Sequence, residues 1–281
     1  MKHTLIIGAG IHAQALKSNT HKPSPLVSWA ALLNMLGASN YSSPLLGFES
    51  LVLQKAKEKG IPAHNAEDVL LKELASIIKI EQEKVLEDSS LDYPLEIFNP
   101  KKVSDVILLN FDLVIETLLS KGQLPAPIEV VNSKIGISYR EINGIKFWHP
   151  HGEVENPEKI QFGLRKYGMN LGGVEELRKL FKQTERDSGY DLSQIKGSWY
   201  TAMIYNPLIF IGTSLSAEEW SIWFALTNRK RNYALKGIEQ PIYTLNKSGA
   251  FCTLHSFTQT IPLTEHADYN EAWLSLIQYL K

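Results

Sequence analysis

The stretch Thr4-Leu-Ile-Ile-Gly-Ala-Gly-Ile-His-Ala-Gln14 joins a short apolar run to two closely spaced glycines. Residues 5–7 predict a buried strand, and the residues after Gly10 predict the start of a helix. A glycine turn between a strand and a helix is typical of a phosphate cradle, because glycine permits close backbone approach and the helix N-terminus favours an anion. Gly8-x-Gly10-x-x-Ala13 fits the loose dinucleotide-binding pattern, but an ordinary tight turn fits it equally well.

Composition and charge exclude several classes of protein. Of 281 residues, 44% are hydrophobic and 21% charged, which is typical of a folded globular chain. A net charge of −1 gives no electrostatic footprint for nucleic acid or a membrane surface, so we expect neither as a direct partner. The single cysteine, Cys252, excludes an internal disulfide and a zinc ribbon, and no histidines show metal-ligand spacing, so no metal is expected. No signal peptide or membrane-spanning run is evident, and a cytoplasmic protein is expected.

Strands and helices alternate along the chain. Short apolar runs predict buried strands at residues 5–7, 106–109, 128–131, 207–211 and 242–245. Asn143-Gly144 predicts a hairpin with a type I′ turn between residues 137–142 and 145–148. The pattern predicts an α/β fold with a Rossmann-like, doubly wound parallel sheet. We expect a single domain over residues 1–281, with helical inserts at about 40–100 and 153–198.

Polar or glycine residues follow several of these strands. They are Gly8-Ala9-Gly10, Asn110-Phe-Asp112, Gly212-Thr213-Ser214 and Asn246, and His151-Gly152 follows the hairpin. In an open parallel sheet, ligands bind outside the carboxyl ends of the strands. We therefore expect these residues to meet at one edge of the sheet.

These motifs occur in the order and rough spacing of the sirtuin family, and the chain resembles it over about residues 4–250. The resemblance is greatest to divergent sirtuin-like domains of bacterial antiphage defence, which lack the zinc module and hydrolyse NAD. It implies a sirtuin-type fold and an NAD glycohydrolase that releases nicotinamide and ADP-ribose. It further implies an antiviral effector that takes NAD as its substrate.

The resemblance also implies a role for each matching residue. Asn110 would lie beside the nicotinamide ribose and orient a water, Asp112 would hold the carboxamide, and His151 would act as the general base. The glycine turn would line the pyrophosphate, and the residues after the later strands would bind phosphate or the adenine-side ribose. The implied cofactor-binding residues are Gly8, Ala9, Gly10, Ile11, His12, Gly212, Thr213, Ser214 and Asn246.

The chain departs from the family pattern at two places in these motifs. His12 replaces the usual serine after Gly-Ala-Gly-Ile, where its larger ring would either clash with phosphate or help to bind it. Leu108-Leu109-Asn110 replaces Thr-Gln-Asn or Thr-Thr-Asn. The Gly-Ile-Pro-x-Phe-Arg segment of deacetylating sirtuins has no counterpart, which together with the missing zinc cysteines argues against protein deacylation.

Each motif also has a structural interpretation. Asn110 and Asp112 are suited to cap the helix that follows them, and His151 is suited to a structural role after the hairpin. His149 lies two residues away and could compete for the catalytic role, although only His151 precedes a glycine. Trp220 and Trp223 predict core packing. The basic cluster at residues 229–231 predicts a solvated helix end.

Three functions remain open on the sequence. An active NAD glycohydrolase would need restraint, so we expect self-assembly into an oligomer, a separate sensor subunit from the same operon, or both. A catalytically silent NAD- or ADP-ribose-binding subunit is the alternative, motivated by His12 and Leu109. A Rossmann oxidoreductase ranks last, because it needs an acidic residue about 20 positions after the turn and the first here is Glu49.

Overall fold

The centre of the molecule is an eight-stranded sheet in a computed structural model that describes residues 2–16, 24–39, 41, 43–130, 138–188, 198–213, 215–233, 240–245, 261–262 and 269–281. The strands are β1 His3–Ile7, β2 Val103–Leu108, β3 Ile128–Glu129, β4 Ser138–Ile142, β5 Ile145–Trp148, β6 Leu208–Ile211, β7 Ile242–Leu245 and β8 Ile261–Pro262. Their order across the sheet is β3-β4-β5-β2-β1-β6-β7-β8. The prediction of a strand over 128–131 is met at its first two residues, and Val131 lies outside the described residues.

Six neighbouring strands, in the order β5-β2-β1-β6-β7-β8, are parallel to one another. The chain adds strands on one side of β1 first and then, beginning with β6, on the other side. This strand order is the Rossmann-type order, in which the chain builds outward from β1 to one side and then to the other. The prediction of a Rossmann-like α/β fold with a mostly parallel sheet is therefore confirmed. Ile7 pairs with Leu108 on one side and Ile211 on the other, so the loops after these strands start level with one another.

The predicted hairpin forms the antiparallel part of the sheet together with β3. β4 and β5 pair from Tyr139–Trp148 to Ile142–Ile145. Asn143 and Gly144 have φ angles of 53° and 76°, the left-handed pair that a type I′ turn requires. The hairpin directs β5 back alongside β2 and delivers His149 and the residues after it to the carboxyl edge of the sheet.

Helices cover both faces of the sheet. They are α1 Gly10–Leu16, α2 Trp29–Met35, α3 Pro44–Lys59, α4 Ala63–Glu87, α5 Val114–Leu119, α6 Leu164–Ser188, α7 Trp199–Tyr205, α8 Trp220–Tyr233 and α9 Tyr269–Leu280. Leu5 and Ile7 point into a core shared with α1–α5 and α9, whereas Ile6 points into a core shared with α6–α8. Burial on both faces explains why these strands read as continuous apolar runs.

The long segment between β1 and β2 is helical because its capping residues and apolar spacing agree. Ser43 accepts a hydrogen bond from Leu46 N, Pro44 begins α3, and Gly60 ends it in the left-handed conformation. In α4, Leu70, Leu74 and Ile78 are buried on one face. The starts of α2 and α3 place Trp29, Pro44 and Leu45 beside the carboxyl edge of the sheet.

The prediction of a solvated basic cluster at residues 229–231 is wrong for Arg229. Its side chain is fully buried, and Nη1 donates to Asn206 O at 2.8 Å and to Met203 O, while Nη2 donates to Gln240 O. Arg229 thus satisfies carbonyls at the end of α7 and that of Gln240, two residues before β7. Arg231, two residues further along α8, is exposed as expected.

The predicted core role of two tryptophans holds in part. Trp223 is half-buried and donates from Nε1 to Ser216 O at 2.8 Å, whereas Trp220 is 37% exposed. None of the helices in the described ranges is long and apolar enough to cross a bilayer.

Candidate functional site

The glycine turn after β1 packs directly on the turn after β6. Gly8 N donates to Ile211 O at 3.0 Å, and Gly10 N donates to Gly212 O at 2.8 Å. A Cβ on Gly10 would lie 2.5 Å from Gly212 Cα, so no side chain fits there. Glycine is required here by the contact between the two turns, and two amides expected to face a phosphate are already used.

A cavity of about 340 Å³ lies outside these two turns, where β1 and β6 end. It falls within the size range of small-molecule sites, and the carboxyl edge at this crossover is where ligands bind in doubly wound sheets. Its lining includes the predicted site residues Gly8, Ala9, Gly10, Asn110, Gly212 and Thr213. The remaining wall is largely aromatic and acidic, with Trp29, Phe162, Tyr167, Glu218 and Glu219.

Two predicted binding residues lie behind the cavity wall instead. Ile11 is fully buried in the core, and His12 is fully buried beneath the glycine turn. Ser214 and Asn246 lie outside the described residues.

Asn110 stands at the junction of the cavity with a smaller hollow of about 30 Å³. The hollow is also lined by Ala9, Trp29 and Asp112. The side-chain amide of Asn110 is half-buried and has no hydrogen-bond partner among the described residues. An amide that is both accessible and unpaired is able to bind a water or a substrate hydroxyl.

Asp112 is held in a buried ion pair with His12. Its Oδ2 lies 3.0 Å from His12 Nε2, its Oδ1 accepts from Val114 N at 3.1 Å, and the other ring nitrogen of His12 lies 2.9 Å from the Tyr93 hydroxyl. Burial would raise the pKa of Asp112, but the charge and hydrogen bond of His12 outweigh burial and lower it. One oxygen of Asp112 therefore satisfies the first amide of α5, although the N-cap residue itself is Leu113, and the other oxygen pairs with the histidine that replaces serine.

His151 is paired with a residue that the sequence did not mark as functional. Its Nε2 lies 2.8 Å from Glu219 Oε2, and its ring stacks on Tyr167 at 5.4 Å between centroids and 10° between planes. Ser216 and Glu219 have the spacing of a capping box, but the Glu219 carboxylate contacts His151 instead. Its position just before a helix at the sheet edge was the available signal.

His149 holds the backbone of Asn110. Its Nδ1 donates to Asn110 O at 3.1 Å, and its Nε2 donates to Glu116 Oε1 at 2.6 Å. Burial would lower the pKa of His149, but Glu116, with help from Glu153, raises it. A charged imidazole that donates from both nitrogens thus ties β5 and α5 to the residue that lines the cavity.

The His149–Glu116 pair predicts that the stability of the fold depends on pH. Because the folded pKa of His149 lies above its ordinary value of 6.5, its stabilising contribution is complete below that value and is lost as pH rises through the folded pKa. We expect the unfolding free energy lost in His149→Gln to be larger at about pH 6 than at about pH 9. Urea unfolding of wild type and variant across this range measures it, and a loss that is the same at every pH would contradict the assignment.

Comparison with known proteins leaves the site to be interpreted from its geometry. No family model matches the chain, and no curated protein matches it. Within the described ranges, no three histidine, cysteine or acidic side chains group as metal ligands would. The site is therefore a polar and aromatic cavity built from two glycine turns, a histidine–glutamate pair and an asparagine amide that no described residue pairs with.

Proposed function

We propose that the chain is a sirtuin-like NAD glycohydrolase, which cleaves NAD to nicotinamide and ADP-ribose. The observation that carries the proposal is that Ala9, Asn110 and Gly212, from three different strand ends, line one cavity at the crossover of the sheet. These positions carry the family motifs in sequence, and their convergence is what a dinucleotide site at this edge requires.

The reaction makes demands that this set of residues meets. The bond from ribose C1′ to the nicotinamide nitrogen breaks, its electron pair leaves with the neutral ring, and positive charge builds on the sugar. Water then adds to C1′ and loses a proton. The Asn110 amide orients that water, and the His151–Glu219 pair accepts its proton, since positioning and proton transfer each lower the barrier.

Asp112 supports binding of the leaving group. It lines the small hollow that opens beside Asn110, and a carboxylate oxygen has two acceptor positions. One position on each oxygen is used by His12 or Val114, so each oxygen has a second available for a carboxamide N–H. The hollow is too small for the nicotinamide ring, so the ring would lie in the adjoining larger cavity, with its carboxamide directed towards the hollow and its ribose at Asn110.

The activity we propose needs control inside a cell, because unrestrained NAD hydrolysis removes a central cofactor. We propose a cytoplasmic effector of bacterial antiphage defence that is restrained by self-assembly, by a separate sensor subunit encoded nearby, or by both. Size-exclusion chromatography of the co-expressed operon products tests this. A chain that stays monomeric and is fully active alone would contradict it.

Cleavage of NAD by the purified wild type, alone and with its co-expressed neighbours, is the experiment that tests the proposed activity. Chromatography separates NAD, nicotinamide and ADP-ribose in one run. Equal amounts of the two products support the proposal, and NAD that stays intact in every mixture contradicts it.

A silent NAD- or ADP-ribose-binding subunit is the second candidate, and the His12–Asp112 pair favours it. His12 occupies the position of the family serine and engages the carboxylate that would anchor nicotinamide. Binding without turnover would follow if this pair keeps Asp112 from the leaving group.

His12→Ser separates the two candidates. We expect the variant to lose about 3 kcal/mol of unfolding free energy, because it leaves the buried Asp112 carboxylate without its imidazole partner. We also expect it to cleave NAD no faster than wild type. Urea unfolding and the chromatographic assay measure both effects, and turnover seen only in His12→Ser would establish the silent subunit.

A further inference from the structure

The two members of the His151–Glu219 pair do not have equal access to the cavity. The Glu219 side chain is 13% exposed and the residue lines the cavity, whereas the His151 side chain is 2% exposed. His151 is not among the residues that line this cavity in the described part of the chain. The carboxylate therefore stands between the imidazole and the space that a substrate would fill.

His151 is also fixed in place. Its ring is stacked on Tyr167, and Nε2 is held by Glu219 at 2.8 Å, so turning the ring would break both contacts. Its Nδ1 is buried and finds no hydrogen-bond partner in the residues that the structure describes. A ring held this way is suited to donate one hydrogen bond to a carboxylate and to keep that carboxylate in one rotamer.

The carboxylate end of the cavity is electrically negative. Glu218 lines the same wall, and burial together with the charges of Glu219 and Glu218 raises the pKa of the Tyr167 hydroxyl. A negative wall disfavours the pyrophosphate of NAD and favours its cationic nicotinamide riboside. The substrate would therefore lie with its reacting ribose, not its phosphates, against Glu219.

We infer that Glu219 is the catalytic residue of this pair and that His151 is a positioning residue. The inference rests on the proposed function and reverses the roles that the sequence resemblance implies. The substrate class that follows is an N-riboside whose base is cationic while it is attached and leaves as a neutral ring, because a carboxylate stabilises the positive charge that moves onto the sugar.

The step balances without any further reactant. As the C1′–N bond breaks, its electron pair goes to nicotinamide, and the Glu219 carboxylate stabilises the positive charge that develops on the ribose. The oxygen of the water oriented by Asn110 forms the new bond to C1′, and the Glu219 carboxylate takes the released proton. That proton passes to solvent when the products leave, while His151 keeps its Nε2 proton throughout.

Three substitutions distinguish the two roles. Glu219→Gln keeps the shape and removes the charge, so we expect kcat to fall at least about 100-fold with KM within about threefold. His151→Gln retains a donor for Glu219 but cannot act as a general base, so we expect kcat to stay within about tenfold of wild type. Glu141→Gln, an exposed carboxylate on β4, is the matched control and should leave kcat within about twofold.

Steady-state NAD cleavage and urea unfolding of each variant test the inference. Glu219→Asp serves as a second variant, which keeps the charge and should retain more activity than Glu219→Gln if the charge is what acts. A Glu219→Gln variant within about threefold of wild type, or a His151→Gln variant as inactive as Glu219→Gln, would overturn it. If the wild type, together with its co-expressed neighbouring gene products, leaves NAD intact, the proposed function is wrong. The inference about Glu219 is then wrong as well.

Discussion

Asn110→Ala should lower the rate of NAD cleavage by at least about 100-fold, because a positioned water contributes an effect of this size. Asn110 is the polar side chain shared by the cavity and the adjoining hollow, at the place where ribose and nicotinamide would meet. Its amide has no other partner in the described residues, so the substitution removes a substrate contact and little structure. Nicotinamide release by chromatography measures the effect.

Asn34→Ala is the matched control for this substitution. Asn34 is an exposed asparagine on α2, so its replacement should leave the rate within about twofold. Asn110→Ala should also still bind NAD in calorimetry, because most of the cavity wall is unchanged. If Asn110→Ala cleaves NAD as fast as Asn34→Ala, the assignment of Asn110 is wrong.

Gly10→Ala should destabilise the fold by about 3 kcal/mol or more, the largest stability effect we expect. The added Cβ would lie 2.5 Å from Gly212 Cα and 2.7 Å from Gly212 O, and both contacts are backbone atoms that no side-chain movement relieves. Separating the two turns would also break the hydrogen bond from Gly10 N to Gly212 O. Urea unfolding measures the loss, and failure to obtain folded protein is its extreme form.

Gly172→Ala provides the control for a general effect of removing glycine. Gly172 lies exposed within α6, and a Cβ there meets no atom within 4 Å. We expect this change to stabilise by about 0.5–1 kcal/mol, since alanine favours a helix over glycine. Equal stability of Gly10→Ala and Gly172→Ala would contradict the close packing of the two turns.

The framework of the fold could be predicted because its signals are local. A strand ending in a glycine turn, four apolar runs separated by helical patterns and an Asn-Gly hairpin each depend on a few neighbouring residues. Residue spacing and turn chemistry are enough to identify such elements. The convergence of Gly8, Asn110 and Gly212 then follows from the rule that parallel strands end at one edge.

The pairing of the charged residues could not be predicted, because each pair joins distant parts of the chain. His12 meets Asp112 across 100 positions, and His151 meets Glu219 across 68. His12 reads as a bulky residue at a phosphate turn, and its contacts with Asp112 and Tyr93, both distant in sequence, explain why it is tolerated. Arg229 likewise reads as solvated, since the carbonyls that it binds belong to Met203, Asn206 and Gln240, which are distant from it along the chain.

The hydrogen-bond partners of the glycine-turn amides also could not be predicted from neighbouring residues in the sequence. Sequence alone predicts free amides at Gly8 and Gly10, because it contains no information on what packs against them. The contact with the turn after β6 uses both amides, and this depends on β6 lying next to β1. The site that results depends more on Asn110 and on the wall formed by Glu219 than on the turn itself.

The central claim is that this cavity cleaves NAD, and one measurement tests it most directly. Purified wild type, alone and with its co-expressed neighbouring gene products, is incubated with NAD, and the mixture is separated by chromatography over time. The account predicts loss of NAD with nicotinamide and ADP-ribose appearing in equal amounts, abolished in Asn110→Ala. NAD that remains intact in every mixture, or that is bound and released unchanged, would contradict it.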